Sequence, residues 1–555
     1  MQKKIVLRKG NKRLFIVAIL ILLGLAFYQG LKTTHELHWA YDVDFDRDMS
    51  FVQGNLDGNI GRDPNYKGEY IWYNPLVSTV ETILVKVTGL PIHIIVTKAG
   101  AYLNMLSPIA FVIMLIVMFD YEIALCGLLS YLFLASGNLK GYGAATYTPW
   151  LYPVCFVQFL FYMNMTFLYK ALVTQRFLWY FLLGIFTGIC FLGHLAPSIL
   201  IVGAIMMAIG ANFYQAFREK NNLRMRKIFL QSLTVIIPFL ILSFPLLYIF
   251  IGKYHLHYLN RSPVELTGDF YQPRYFGGLF RINFSISLLI ALLGYWRFYR
   301  HYRKLINRRL ILGTFWICIA LFLYSSFIIL TYAHFHIRLP ATVPSFHYFF
   351  YLKAFQSIFF AFGLVYLFSK PMLWAGEKIK SWLPDRTALE REQVILIFVI
   401  LLMAFIYFPF YKERKDFSEL RQLAFVKASQ KEDIDFYYYA VSHISSEKVI
   451  LCEKPTSIFP VMATGRKMVS ISSTFSNPFV DFEKREKDRN EMISYLENLS
   501  PEPAPDLFTK YQVEYVLLPV QYAGINKNRM RFNLIKEYVN DKYVVFSLKY
   551  KTVNE

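Results

Sequence analysis

Long apolar segments alternate with short polar segments over most of this 555-residue chain. About eleven segments are apolar enough to cross a membrane, since roughly 20 apolar residues span a bilayer. They cover residues 14–31, 97–118, 121–137, 150–171, 177–193, 196–214, 228–251, 282–298, 311–333, 347–368 and 394–410. The pattern predicts a mainly α-helical, polytopic membrane domain over residues 1–410, embedded in a lipid bilayer.

The pattern changes after residue 410, where strand-like and helix-like segments alternate. β-branched and aromatic residues predict strands at 448–453, 466–472, 513–520 and 543–550. Helical periodicity predicts helices at 433–444, 482–499 and 528–540. The alternation predicts a separate α/β domain over residues 411–555.

Basic residues cluster in four segments, at residues 1–13, 215–227, 297–309 and 370–391. With eleven spans all four segments fall on one side of the membrane, and the positive-inside rule makes that side the cytoplasm. The N-terminus is therefore predicted to be cytoplasmic, and the loop 32–96 and the C-terminal domain extracytoplasmic. These loops account for the formal net charge of +21, so no nucleic-acid partner is predicted. The predicted location is the plasma membrane.

The loop after the first span carries four aspartates on alternate positions, Asp42, Asp44, Asp46 and Asp48. Apolar residues at spacings of three and four predict a short amphipathic helix over residues 44–58. On such a helix Asp44 and Asp48 share a face, and Arg47 is predicted to pair with Asp44 or with a ligand phosphate. A carboxylate in this position suits a general base that takes a proton from a hydroxyl group.

Two other interpretations of these aspartates stay open. The first is a solvated acidic face whose aspartates only cap the helix. The second is a metal site, because alternate carboxylates bind Mg²⁺ or Mn²⁺, and it would use Asp42, Asp44 and Asp46.

Basic residues that are candidates for binding a phosphate fall in the predicted outer loops: Arg338, His194, Lys140 and Arg274. Arg338 is the strongest candidate, because its planar guanidinium binds oxyanions at two positions. The alternative for Arg338 is an anchor at the membrane interface, and the alternative for His194 is a helix-end cap. The segment 71–91 is amphipathic and is predicted to lie in the interface plane.

Three segments resemble the C-type (GT-C) membrane glycosyltransferases. The segment YDVDFDRD at 41–48 resembles the acidic signature of their first outer loop. The run DPNYKGEYIWYNPLVSTVETILVKVTGLP at 63–91 resembles the segment that usually follows it. The segments ATGRKMV and LFTKYQVEYVLLP resemble the small α/β domain that many of these enzymes carry.

The resemblance implies an enzyme that takes a sugar from a polyprenyl-phosphate donor. Asp44, or else Asp48 or Asp46, would deprotonate the hydroxyl of a glycan, lipid or protein acceptor, which attacks the anomeric carbon with inversion. Arg338, aided by Lys140, Arg274 or His194, would stabilise the departing phosphate. The mechanism requires no cofactor. The resemblance leaves the subfamily and the sugar open, and a transporter or lipid flippase is the alternative function.

Overall fold

The computed structural model of the chain describes residues 12–134, 146–260, 285–302, 304–337, 339, 343–378, 380, 387–453, 458–498, 504–524 and 532–550. Most of these residues are α-helical. The predicted fold class, mainly helical with a C-terminal sheet domain, is confirmed.

The helices are numbered in chain order. Those before residue 260 are α1 (Lys12–Thr34), α2 (Val43–Leu56), α3 (Leu76–Thr88), α4 (Ile92–Leu103), α5 (Leu106–Met118), α6 (Tyr121–Phe133), α7 (Pro153–Phe156), α8 (Gln158–Thr174), α9 (Phe177–Gly193), α10 (Leu195–Arg218) and α11 (Asn222–Leu247). Those after it are α12 (Ile286–His301), α13 (Leu305–Phe335), α14 (Phe346–Lys378), α15 (Ala388–Lys412), α16 (Glu419–Ala428), α17 (Lys431–His443), α18 (Ile458–Ala463), α19 (Phe482–Asn498) and α20 (Ala504–Tyr511).

Eight helical stretches among the described residues are long and apolar enough to cross a membrane. They are Lys12–Thr34, Ile92–Met118, Pro153–Thr174, Leu195–Arg218, Asn222–Lys253, Leu305–Tyr332, Phe346–Ser369 and Glu390–Lys412. Two shorter apolar helices are α6 and α9, and α12 covers the remaining predicted segment. Each of the eleven predicted segments thus contains a helix. That all eleven cross the membrane remains a prediction.

The chain forms two compact units. The first contains Met1–His35, Lys98–Phe244 and Asp269–Arg421, and the second contains Glu36–Thr97, Pro245–Gly268 and Gln422–Glu555. The acidic loop therefore belongs to the same compact unit as the C-terminal sheet. The boundary predicted at residue 410 separates a membrane domain from an extracytoplasmic domain, and it stays a prediction.

The second unit is built on a five-stranded mixed sheet with the order β2-β1-β3-β5-β4. Its strands are β1 (Val449–Cys452), β2 (Lys467–Met468), β3 (Val513–Pro519), β4 (Phe532–Val539) and β5 (Tyr543–Tyr550). β2 and β3 pair with β1 in parallel, and β5 pairs antiparallel with both β3 and β4. The four predicted strands are present, although β2 is only two residues long.

Side chains on the two faces of this sheet belong to different apolar clusters. Val516 and Phe546 lie in one cluster with residues of α19 and α20. Leu517 and Val545 lie in the other with residues of α17 and α18. Because successive strand residues point to opposite faces, the sheet is the middle layer of a three-layer α/β arrangement.

The predicted helix over 528–540 is wrong. Residues Phe532–Val539 form β4, which pairs antiparallel with β5 along its length, from Phe532 opposite Tyr550 to Val539 opposite Val544. The pairing buries Phe532 and Leu534. The tertiary contact with β5 overrides the local helical periodicity, as is usual for a short ambiguous segment.

Candidate active site

The aspartates of the first outer loop lie on α2, as predicted. The helix begins after Asp42, whose side chain accepts a hydrogen bond from the backbone N–H of Asp44 at 3.3 Å. Such a cap satisfies one of the free N–H groups at the helix start. The side chain of Asp44 is 35% exposed, while those of Asp46 and Asp48 are 3% and 4% exposed. Asp44 is thus the accessible carboxylate of the three that were candidates for the base.

Arg47 joins Asp44 and Asp48. Its Nη1 lies 2.6 Å from Oδ1 of Asp44, and its Nε donates to Oδ1 of Asp48 at 2.9 Å. The guanidinium is buried between two rings, 4.2 Å from the ring centroid of Tyr73 and 5.5 Å from that of Phe475. Arg47 therefore holds carboxylates, in line with the predicted pairing with Asp44 rather than with a ligand phosphate.

Asp46 points away from this group. Both of its carboxylate oxygens accept from Nζ of Lys427, at 3.2 Å and 2.9 Å. Lys427 lies on α16, 381 residues further along the chain. The buried pair fixes the first turn of α2 to α16, so this arrangement gives Asp46 an anchoring role and does not favour it as the base.

The far end of α2 is held by the segment that precedes β2. Arg466 donates to Oδ2 of Asp57 at 2.7 Å. Gly465 has φ +66°, and a Cβ there would meet Cβ of Gln53 and the backbone oxygen of Ser50 at 3.0 Å. Only glycine readily combines that backbone conformation with such close contact. The helix is therefore pinned at both ends within the second unit.

A buried turn after α2 adds to this support. The carboxylate of Asp63 accepts from the backbone N–H of Asn65 at 2.8 Å and from the side-chain amide of Asn477 at 3.0 Å. The hydroxyl groups of Tyr66 and Ser476 are 2.9 Å apart. The turn thus links the loop after α2 to the segment that contains Phe475, one of the two rings around Arg47.

The electrostatics of the site are dominated by burial. Burial raises the pKa of Asp48 to about 6, against the opposing effect of the Arg47 charge. Burial also raises the pKa of Asp46 to about 6, and Lys427 offsets part of the effect. For Arg47, burial disfavours the charge, but Asp48, Tyr73 and Asp44 raise its pKa above the ordinary value.

The predicted metal site is not supported by this geometry. Asp42 caps α2, Asp44 pairs with Arg47 and Asp46 pairs with Lys427, so the three carboxylates face different partners. Within the described ranges, no three His, Cys, Asp or Glu side chains form a group that could hold a metal ion. The residues present therefore do not fit the Mg²⁺ or Mn²⁺ site proposed for Asp42, Asp44 and Asp46.

The predicted phosphate-binding residues are less well defined. Lys140, Arg274 and Arg338 lie outside the described residues. His194 is the N-cap of α10, and its Nδ1 accepts from the backbone N–H of Ala196 at 3.1 Å. Its ring centroid lies 4.7 Å from that of His347. This geometry agrees with the capping alternative for His194, and a role in binding phosphate remains a prediction.

Sequence reasoning missed five residues around α2: Tyr73, Glu81, Lys427, Arg466 and Phe475. Glu81 lies on α3 and is fully buried. A lone carboxylate in the apolar stretch LVSTVETILVKVT was a visible signal for it. Lys427 and Arg466 gave no local signal, because their partners are 381 and 409 residues away.

The fold is also found in a solved structure. The structure is similar to that of ArnT from Cupriavidus metallidurans bound to undecaprenyl phosphate, with a TM-score of 0.54 and 12% identity, over 95% of this chain and 97% of that chain. The chain has the ArnT fold. The apo state of the same ArnT gives a TM-score of 0.54 at 11% identity with the same coverage.

The sequence motifs resembled those of the GT-C membrane glycosyltransferases. The ArnT fold confirms this resemblance at the level of the fold. The Archaeoglobus fulgidus oligosaccharyltransferase covers 91% of this chain and 70% of its own at 13% identity, and its TM-score of 0.48 adds nothing to the assignment. No protein-family model and no curated protein matches the sequence. The chain is a multi-pass membrane protein with the ArnT fold.

Proposed function

We propose that this protein is a membrane glycosyltransferase that moves a sugar from a polyprenyl-phosphate donor to an acceptor hydroxyl on the extracytoplasmic face. The observation that carries the proposal is the state of Asp44, an accessible carboxylate oriented by a buried guanidinium. A second support is the fold shared with ArnT, which was solved with undecaprenyl phosphate bound.

In the proposed reaction Asp44 takes the proton of the acceptor hydroxyl. The hydroxyl oxygen forms a bond to the anomeric carbon while the bond from that carbon to the phosphate oxygen breaks. The electron pair leaves with the polyprenyl phosphate, and the configuration at the anomeric carbon inverts. Because a phosphate carries negative charge well, the leaving group needs no strong general acid.

Arg47 orients the base in this mechanism. Its contact with Oδ1 of Asp44 leaves the other carboxylate oxygen for the acceptor. Asp48 neutralises the buried side of the guanidinium at 2.8 Å. Arg338, His194, Lys140 and Arg274 remain proposed partners of the lipid phosphate.

The experiment is transfer of labelled sugar from a panel of polyprenyl-phosphate sugars by the purified protein in liposomes. Asp44→Asn should keep the fold and lower the rate by roughly 10²–10⁴-fold, the contribution of a general base. Asp435→Asn is the matched control, because Asp435 is an exposed aspartate of α17 in the same compact unit. Full turnover by Asp44→Asn would refute the proposed base.

The same liposomes test the alternative function. A transporter or lipid flippase would move a labelled polyprenyl lipid between leaflets without transferring sugar, and the rate would not depend on an acceptor. Lipid movement without transfer of any sugar in the panel would overturn the glycosyltransferase proposal.

A further inference from the structure

Glu81 is a buried carboxyl group that the proposed reaction does not use. It lies on α3 and has 0% exposure. Both of its oxygens are buried, and neither has a hydrogen-bond partner among the described residues. A buried ionised carboxylate without partners is very costly, so such a group is expected to be protonated or to share a proton.

The charged groups that face Glu81 come from α2. Asp48 and Arg47 are the two charged groups that affect its ionisation most, Asp48 by repulsion and Arg47 by attraction. Helices α2 and α3 pack against each other, and Asn55 donates to Oγ1 of Thr82, the neighbour of Glu81, at 3.2 Å. Glu81 and Thr82 both belong to the buried face of α3, and this face contacts α2 through Thr82.

Asp48 also has a buried oxygen without a hydrogen-bond partner among the residues that the structure describes. Its Oδ1 is occupied by Arg47, while its Oδ2 is buried and has no partner in the described part of the chain. Two neighbouring buried carboxyls thus present three unsatisfied oxygens near one guanidinium. Arg47 carries one positive charge and already contacts the carboxylates of Asp44 and Asp48, so no positive charge is left to balance an ionised Glu81.

We propose that Glu81 is a positioning residue that carries a proton and donates it as a hydrogen bond to Oδ2 of Asp48. This bond gives a partner to Oδ2 of Asp48 and to one of the two Glu81 oxygens, and it leaves one negative charge on Asp48 to balance Arg47. The arrangement holds the guanidinium in place between Tyr73 and Phe475, and through it orients Asp44. The consequence for catalysis rests on the proposed role of Asp44, whereas the proton on Glu81 does not.

The ionisation of both carboxyls agrees with this arrangement. Burial raises the pKa of Glu81 well above its ordinary value, and the charge of Asp48 raises it further. Burial also raises the pKa of Asp48, but the adjacent guanidinium lowers it again. Because Asp48 is the carboxyl bonded to Arg47, the proton belongs on Glu81.

Infrared spectroscopy of the full-length protein in detergent tests the proton without requiring turnover. At about pH 7 an exposed carboxyl is ionised, so a protonated Glu81 should give a carboxylic C=O stretching band. The band should shift on ¹³C-glutamate labelling and disappear in Glu81→Gln. It should persist in the control Asp435→Asn. No ¹³C-glutamate-sensitive band at neutral pH, or such a band retained by Glu81→Gln, would overturn the proposal.

Turnover separates a positioning role from a role in folding alone. Glu81→Gln keeps a neutral donor of the same shape and should retain wild-type kcat. Glu81→Ala removes the donor and should lower kcat, by up to about 100-fold if Asp44 shifts by an ångström, with KM little changed. Equal loss in both variants would contradict a neutral positioning donor. If no sugar is transferred at all, the proposed function fails, while the infrared result still decides the protonation of Glu81.

Discussion

Each compact unit contains a buried arginine held between two aromatic rings, and the two differ in how their charge is balanced. In the first unit Arg414 binds both oxygens of Asp416, at 3.0 Å and 2.7 Å. Its guanidinium lies 4.8 Å from the Tyr411 ring centroid and 4.6 Å from that of Phe417. In the second unit Arg47 faces Asp44, Asp48 and Glu81 between Tyr73 and Phe475.

The difference separates a structural ion pair from a site suited to chemistry. Among the described side chains, Arg414 has a single carboxylate partner, Asp416, and both side chains are buried. Arg414 also donates to the backbone oxygen of Tyr147 at 2.9 Å. Arg47 has a surplus of carboxyl groups, one of which is accessible. A closed pair with balanced charge has no group left to react, whereas a surplus carboxylate at the surface can accept a proton from another molecule.

The largest effect expected from this comparison is that Asp416→Asn lowers mainly the unfolding free energy, whereas Asp44→Asn lowers mainly the rate of sugar transfer. Asp416→Asn leaves the charge of Arg414 buried without its partner and should cost about 3–5 kcal/mol of unfolding free energy. Asp44 is partly exposed, so Asp44→Asn should cost no more than about 1 kcal/mol while abolishing most transfer. Equilibrium unfolding in detergent, beside transfer per folded molecule, measures both.

That comparison fails if Asp416→Asn destroys transfer per folded molecule while leaving the unfolding free energy unchanged. Such a result would give the Arg414–Asp416 pair a direct part in the chemistry.

The next effect concerns pH. Asp46 and Asp48 have folded-state pKa values of about 6 because they are buried. The folded state therefore binds their protons more tightly than the unfolded state does, so the resulting stability is present below about pH 4 and is lost as pH rises through about 6. A pKa difference of one corresponds to about 1.4 kcal/mol, so one such carboxyl contributes up to about 3 kcal/mol.

Unfolding measured across this pH range checks the sign. Asp46→Asn should lose less stability than the wild type as the pH rises, since the amide does not titrate. The exposed control Asp435→Asn should show the same pH dependence as the wild type. A wild-type protein that gains stability as pH rises through about 6 would show that the burial of these carboxyls does not set its pH dependence.

A smaller effect is expected from the ring over Arg47. A largely desolvated cation–π contact contributes about 2 kcal/mol, and the Tyr73 ring lies 4.2 Å from the guanidinium. Tyr73→Leu should therefore lower both the unfolding free energy and kcat. Tyr73→Phe keeps the ring and should behave as the wild type. If Tyr73→Phe is as damaging as Tyr73→Leu, the hydroxyl group matters and the ring does not.

The smallest effect separates backbone strain from close packing. Gly465→Ala and Gly61→Ala both place a side chain at positive φ, +66° and +79°, which costs roughly 1–2 kcal/mol. Only at Gly465 would the Cβ also meet α2, whereas nothing lies within 4 Å at Gly61. A greater loss of stability in Gly465→Ala measures the packing of α2 on this segment, and equal losses would show that α2 adjusts freely.

Much of the architecture could be predicted because it is local. The membrane helices are long apolar runs, and α2 and α3 show helical spacing of apolar residues. The strands β1, β3 and β5 are rich in β-branched and aromatic residues. Helix prediction failed for β4, because its residues become a strand through pairing with β5, which no local pattern encodes.

The site was predicted only in part, for the same reason. The aspartates and Arg47 are neighbours in sequence, so their pairing follows from helical spacing. The residues that distinguish these aspartates are distant: Lys427 makes Asp46 an anchor, and Glu81 places a second carboxyl beside Asp48. Because burial and partners come from tertiary structure, the sequence could place Asp44 first among the candidates but could not show why.

The attachment of α2 at both ends also has a consequence for biosynthesis. The helix leaves the ribosome before Lys427, Gly465 and Arg466, which hold it and are made hundreds of residues later. Nascent chains therefore display the acidic helix before its buried aspartates have partners. Any chain cut short before residue 427 lacks both anchors, so catalytic competence is expected to arise only after Lys427 and Arg466 have been made.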